Sequence, residues 1–169
     1  MSERSLEQAR IETQSKSGGA RVRFPPPLLF LMLIGAGLLA QRKGLPLSIP
    51  LAFWPRIVSG VVVALAGLTL VIAARLWFAR TGQSPVPWKP SPQLILKGPY
   101  RFTRNPMYVG VTLFQVGLGI LFDNLWISAL ALIGLLIVHF IAVWPEEAYL
   151  AEKFGDSYLR YKAAVRRYL

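Results

Sequence analysis

Pro106–Phe122 reads PMYVGVTLFQVGLGILF and Leu125–Trp144 reads LWISALALIGLLIVHFIAVW, with only Asp123-Asn124 between them. Two apolar runs of helical length, broken by two polar residues, predict an antiparallel helical hairpin. Such a hairpin returns the chain to the side it left. It brings the preceding segment Gly98-Pro-Tyr-Arg-Phe-Thr-Arg-Asn105 to the same end as the following Pro145-Glu146-Glu147. Tyrosines, backbone amides and two carboxylates then share one membrane surface, an arrangement suited to a site.

Working outward, Ile57–Ala79 is the clearest further span. Its one charge, Arg75, lies near the end and can snorkel, and Gly60 and Gly67 fall on one face, allowing close helix contact. Phe24–Ala40 has 17 residues, at the short end of what crosses a bilayer of about 30 Å. Leu38-Leu39-Ala40 lacks the small-x-small pattern of a cleavage site, so an uncleaved first span is expected. Residues 41–56, with three prolines and Phe53-Trp54, suit the headgroup layer. The expected fold class is therefore an all-α membrane protein. It has about four transmembrane helices and a carboxy-terminal amphipathic helix, with the site at the cytoplasmic end of the last hairpin. The expected organisation is a mobile cytoplasmic tail over 1–23, two spans over 24–79, and a functional region over 80–169.

Composition agrees. The chain is 54% hydrophobic with mean hydropathy +0.46, high for a soluble protein. Cysteine is absent, which excludes disulfides, a thiolate metal site and a cysteine nucleophile. His139 is the only histidine, so no His-rich metal centre can form and a Ser-His-Asp triad finds no support. The net charge of +11 is carried by residues flanking apolar runs, which points to anionic lipid headgroups and not to nucleic acid. With the amino terminus in the cytoplasm, the three inner segments carry five, six and five Lys/Arg, 16 in total, against three in the outer loops. The positive-inside rule then makes the long 80–105 connection, the Asn105-Pro-Met-Tyr segment and Glu146-Glu147 cytoplasmic.

That long connection holds five prolines between Pro85 and Pro99, which excludes a long helix. Trp88 and Leu94-Ile95-Leu96 argue against disorder. Beyond Trp144, Pro145 is expected to open a last helix, with Glu146 and Glu147 in its first turn. Leu150, Phe154, Tyr158, Tyr161 and Val165 repeat at spacings of three and four. Lys153, Arg160, Lys162, Arg166 and Arg167 give a basic face, as for a helix lying on a membrane.

Each candidate residue also has a plainer role. Gly98-Pro99 can be a turn whose backbone approaches a ligand, or simply a loop ending. Asn105 can cap the third span with Pro106 at its first position. Tyr100 and Tyr108 can be interfacial anchors. Glu146-Glu147 can be first-turn acids, or one can face a cationic or hydroxyl-rich ligand. His139 reads as a packed histidine bonding a neighbouring helix. Arg101 and Arg104 suit phosphate or headgroup contacts. Gly117-x-Gly119 is no dinucleotide fingerprint, since no strand precedes it.

Gly98-Pro99-Tyr100-Arg101, Arg104-Asn105-Pro106-Met107-Tyr108-Val109-Gly110, Glu146-Glu147 and Phe154-Gly155-x-x-Tyr158-x-x-Tyr161 together resemble the integral-membrane methyltransferases. These comprise the isoprenylcysteine carboxyl methyltransferases and the phospholipid N-methyltransferases. The resemblance spans roughly residues 80–168. It implies S-adenosylmethionine as methyl donor on the cytoplasmic side and a lipophilic or lipid acceptor from the bilayer. It implies that Gln93, Leu94, Ile95, Tyr100, Asn105, Pro106, Met107, Tyr108 and Glu146 hold the cofactor, with no metal. Glu147 and Arg104 are the catalytic candidates, Glu147 as a group that could help an amine acceptor lose its proton. Asn105 stands where prenylcysteine enzymes usually carry His, and Ile141-Ala142-Val143 lacks the arginine they place before the acidic pair. The phospholipid enzymes match Asn-Pro-Met-Tyr more closely. A non-enzymatic membrane scaffold and a nicotinamide-dependent membrane reductase are the alternative readings, the latter lacking a dinucleotide motif.

Overall fold

A computed structural model describes residues 25–82 and 93–168. The expected tail over 1–23 and the stretch 83–92 lie outside the described residues. The chain forms α1 (Pro26–Arg42), α2 (Phe53–Arg80), a 3-10 turn (Gly98–Arg101), α3 (Pro106–Leu121) and α4 (Leu125–Val138). A π-helical stretch (His139–Val143) leads into α5 (Trp144–Phe154), and α6 (Asp156–Ala164) follows. Among the described residues there is no strand, only an isolated parallel bridge between Thr103 and Arg166.

The helices pack in the spatial order α1, α4, α3, α2. Small residues draw α2 and α3 together. A side chain at Gly60 would strike the Leu121 and Gly117 backbone, and one at Gly67 would strike Phe114 and Gly110. Gly117 lies in turn against Ala64. Backbone contact of this closeness replaces the hydrophobic drive that is missing between helices in lipid. The outward faces are apolar: Leu31, Leu65, Leu132 and Leu136 are all exposed. Phe53–Arg80 and the continuous helix Leu125–Phe154 are long and apolar enough to cross a membrane, and the chain is a membrane protein. α1 and α3 are shorter, at 17 and 16 residues.

The Asp123-Asn124 break makes the expected sharp turn. Asp123 takes a left-handed φ of 54°, which Asp tolerates better than most residues. Asn124 Oδ1 accepts from the Ile127 N–H (3.2 Å), capping α4, while its amide donates to the Gly37 carbonyl (3.1 Å). Asp123 accepts from the Ile49 N–H (2.8 Å) and pairs with Arg56 (3.0 Å), so the 43–52 connection lies over the hairpin turn.

Three expectations need correction. Pro145 stands at the start of α5 with Glu146 and Glu147 in its first turn, as expected, but α5 is not a separate helix. The chain stays helical from Leu125 to Phe154 and absorbs the proline by widening into a π turn, where the Trp144 N–H bonds the His139 carbonyl five residues back. The last amphipathic segment is not one helix. Gly155, at φ 51° and ψ −131°, breaks it into α5 and α6 in a conformation only glycine adopts without strain. Nor does the apolar stripe of that segment face the bilayer. Tyr158 is 1% exposed and turned into the protein, whereas Leu159 and Arg160 are exposed.

Gly67→Val should push α2 off α3 and destabilise the fold by about 1–3 kcal/mol, read by denaturant unfolding in detergent. Gly35→Ala, with no atom within 4 Å of the added Cβ, should be neutral or stabilise by about 0.5–1 kcal/mol. Equal effects at the two positions would contradict the packing described.

Candidate active site

At the end of the hairpin opposite Asp123, the start of α3 meets α5, and a pocket opens between them. Its polar lining comes from Tyr100, Arg104, Asn105, Glu146 and Glu147. Phe78, Leu94, Ile95 and Leu150 add apolar lining, and Gln93 and, from α6, Tyr158 and Tyr161 also line it.

The 3-10 turn fixes Tyr100. Gly98 has a φ of +63°, and the Trp77 indole occupies the space a Cβ would take, so packing and backbone both demand glycine there. Of the two roles open to Gly98-Pro99, the packing fits the plain loop-ending turn. Tyr100 is buried edge-to-face against Phe78, ring centroids 5.9 Å apart, and its carbonyl accepts the Tyr161 hydroxyl at 2.8 Å. Burial pushes the Tyr100 phenol above its ordinary pKa, helped by the charge of Glu146, so it stays a neutral donor. Burial likewise raises Tyr161.

Glu147 is 6% exposed and carries the densest ion pairing. Arg167 forks onto both its oxygens, Nε to Oε1 and Nη2 to Oε2, each at 2.9 Å. Arg104 Nη1 lies 2.8 Å from Oε1. The Arg104 side chain is only 8% exposed. It also reaches the Tyr158 hydroxyl, whose pKa burial raises and Arg104 partly offsets. Its Nε–H has no hydrogen-bond partner, an orphaned buried donor beside the pocket.

Glu146 behaves differently. The Tyr108 hydroxyl lies near its carboxylate, and among the described residues no ion pair reaches it. One adjacent acid is thus neutralised twice, and the other is left for something else. Asn105 does not cap α3 with its side chain. It is buried, its own N–H bonds Thr103 Oγ1 (3.2 Å), and its amide donates to the Arg167 carbonyl (3.1 Å). His139 Nδ1 shares a 2.9 Å hydrogen bond with the Tyr168 hydroxyl, so it meets the carboxy-terminal segment instead of a neighbouring helix.

The structure therefore brings together Gln93, Leu94, Ile95, Tyr100, Arg104, Asn105, Glu146 and Glu147. Pro106, Met107 and Tyr108 begin α3 but are not in the lining, and Tyr108 packs against the cluster around Phe30 and Val138. Sequence reasoning missed Phe78, Leu150, Tyr158, Tyr161 and Arg167 as site residues. The helical spacing of Leu150, Tyr158 and Tyr161 was legible, but it reads equally well as a face for the bilayer. Among the described residues, no group of three or more His, Asp or Glu is placed to hold a metal ion.

The family model for phospholipid methyltransferases matches residues 55–157, well over half of the chain. The chain is 38% identical over 74 residues to the protein-S-isoprenylcysteine O-methyltransferase of Schizosaccharomyces pombe, covering 43% of this chain and 30% of that protein. It is 26% identical over 102 residues to the nickel-cobalt-cadmium resistance protein NccN of Alcaligenes xylosoxydans xylosoxydans, covering 59% and 46%. The cobalt-zinc-cadmium resistance protein CzcN of Cupriavidus metallidurans is 26% identical over 96 residues, covering 57% and 43%. The chain thus spans less than half the length of each of these three relatives.

Glu147→Ala should strand Arg104 in the interior and cost about 3–5 kcal/mol of unfolding free energy. Tyr161→Phe, which loses one hydrogen bond to Tyr100, should cost about 0.5–1.5 kcal/mol. Chemical denaturation in detergent checks both, and a smaller loss for Glu147→Ala than for Tyr161→Phe would contradict this geometry.

Proposed function

The chain belongs to the phospholipid methyltransferase family, and from that premise we propose that it is an S-adenosylmethionine-dependent methyltransferase acting on a lipophilic acceptor. One observation carries the reading. The pocket pairs an acid without a cation, Glu146, with a buried guanidinium that has an unused donor, Arg104. A ligand group bearing both an ammonium and a carboxylate answers both. The methionine part of S-adenosylmethionine is such a group, so the residues fit it.

In this reading Glu146 binds the ammonium and Arg104 Nε donates to the carboxylate. Tyr100 stays protonated as a neutral donor, and its ring, with Tyr158 and Tyr161, offers faces to a cation. Asn105, Gln93, Leu94 and Ile95 complete the binding wall, and Pro106-Met107-Tyr108 sets the start of α3 so that Tyr108 orients Glu146. Glu147, with both oxygens held by guanidinium groups, positions Arg104. The bound cofactor supplies an activated methyl group for in-line transfer, which demands alignment more than acid–base chemistry. The apolar side formed by Phe78, Leu94, Ile95 and Leu150 suits the lipophilic part of the acceptor.

We place four helices across the bilayer, α1, α2, α3 and the Leu125–Trp144 run. Sixteen basic residues against three support a cytoplasmic location for both termini and the pocket. Purified protein in detergent should bind S-adenosylmethionine in calorimetry. Glu146→Gln, which keeps the shape but removes the charge, should weaken binding by about tenfold or more. No binding by the wild type, or an unchanged affinity in Glu146→Gln, would overturn the reading.

A further inference from the structure

Four consecutive residues after α6 tie the pocket shut from behind. Val165 is extended (φ −122°, ψ 134°), and Arg166 forms the parallel bridge with Thr103. The Arg166 carbonyl accepts the Arg104 N–H at 2.9 Å. The Arg167 carbonyl accepts both Thr103 Oγ1 (3.0 Å) and the Asn105 amide (3.1 Å). The Arg167 side chain forks onto Glu147, and the Tyr168 hydroxyl meets His139. The strap therefore holds the 103–105 segment through its backbone and the α5 carboxylate through its side chain. Those are the two sides of the pocket that meet at Arg104.

We propose that Arg167 is a positioning residue, fixing Glu147 so that Glu147 in turn holds the Arg104 guanidinium at the pocket wall. Arg167 suits this because a planar fork satisfies both carboxylate oxygens at once and fixes the carboxylate plane, which a lysine ammonium does not. One of its fork bonds uses Oε2, on the far side of the carboxylate from Arg104, while Oε1 is shared by the two arginines. Without Arg167 the carboxylate can rotate about its last torsion, and Arg104 loses its fixed partner. Arg167 itself is half-buried and outside the pocket lining, so it acts through Glu147 and not on the ligand.

The proposal deepens the functional reading and rests on it only where cofactor affinity is measured. Two readouts on the full chain in detergent separate them. The first is modification of Arg104 by phenylglyoxal, an arginine-selective reagent, followed by peptide mass spectrometry, with exposed Arg160 as the internal standard. Buried Arg104 should be protected in the wild type and become several-fold more reactive in Arg167→Ala, with Arg160 unchanged. Glu147→Gln should expose it similarly, and the double variant no further, because the two changes break one chain of contacts. Arg167→Lys should restore part of the protection, and it serves as the comparison if the alanine variant does not fold. Unchanged protection in Arg167→Ala, or effects of the two substitutions that multiply, would overturn the proposal. The second readout is S-adenosylmethionine affinity, expected to fall about tenfold in Arg167→Ala. A wild type that does not bind sinks the functional reading and leaves the labelling result to decide the role of Arg167. A wild type that binds with Arg167→Ala equally tight sinks the role of Arg167 alone.

Discussion

A carboxylate that is 6% exposed must be paired, and the pairing of Glu147 organises this molecule. Its partners come from separate parts of the chain: Arg104 from just before α3, and Arg167 from beyond α6. Removing Glu147 leaves the Arg104 guanidinium in surroundings that cannot solvate it. The triad therefore acts as a registration device. It fixes how the loop before α3, the end of the long helix and the carboxy-terminal segment sit relative to one another. The first two of those segments supply Arg104, Asn105, Glu146 and Glu147 to the pocket lining.

The helical scaffold makes that meeting a matter of geometry. α3 and α4 are joined at Asp123-Asn124, so their other ends must lie together. Glycines at 60, 67, 110 and 117 let α2 approach α3 to backbone contact, which delivers Phe78 and Trp77 to the same end. Trp77 then packs over Gly98 and sets the 3-10 turn that buries Tyr100. The π turn at His139–Val143 gives room for Pro145 without ending the helix. Glu146 and Glu147 consequently extend rigidly from the hairpin and do not begin a loosely joined element. Their opposite fates among the described residues, one doubly ion-paired and one without an ion pair, follow from standing about 100° apart around that helix.

The hairpin, the glycine contact between α2 and α3, and the nearness of Asn105 to Glu147 were legible because each depends on local pattern: apolar run length, small-residue spacing and a two-residue polar break. The division of labour between Glu146 and Glu147 was not, since both stand in the same helical turn and only tertiary partners tell them apart. The direction of the Tyr158–Tyr161 face was misread for a related reason. A stripe of apolar and aromatic residues with basic neighbours is equally suited to a bilayer or to a protein pocket, and Gly155 decides between them by turning α6 back over the site. The strap was hidden because its bonds are mostly to backbone carbonyls, which carry no residue-specific signal. Asn105 illustrates the same point: its position predicts a cap, but a buried carbonyl of Arg167 competes for its amide and wins.

The central claim is that the pocket walled by Tyr100, Arg104 and Glu146 and covered by α6 is where the methyl donor binds. Ultraviolet crosslinking of methyl-labelled S-adenosylmethionine to the purified protein, with the labelled peptides mapped by mass spectrometry, tests it most directly. The account predicts label on the peptides bearing Tyr100, Tyr158 or Tyr161, competed away by unlabelled cofactor. Competable label confined to the opposite end of the bundle, around Arg56 and Asp123, would contradict it.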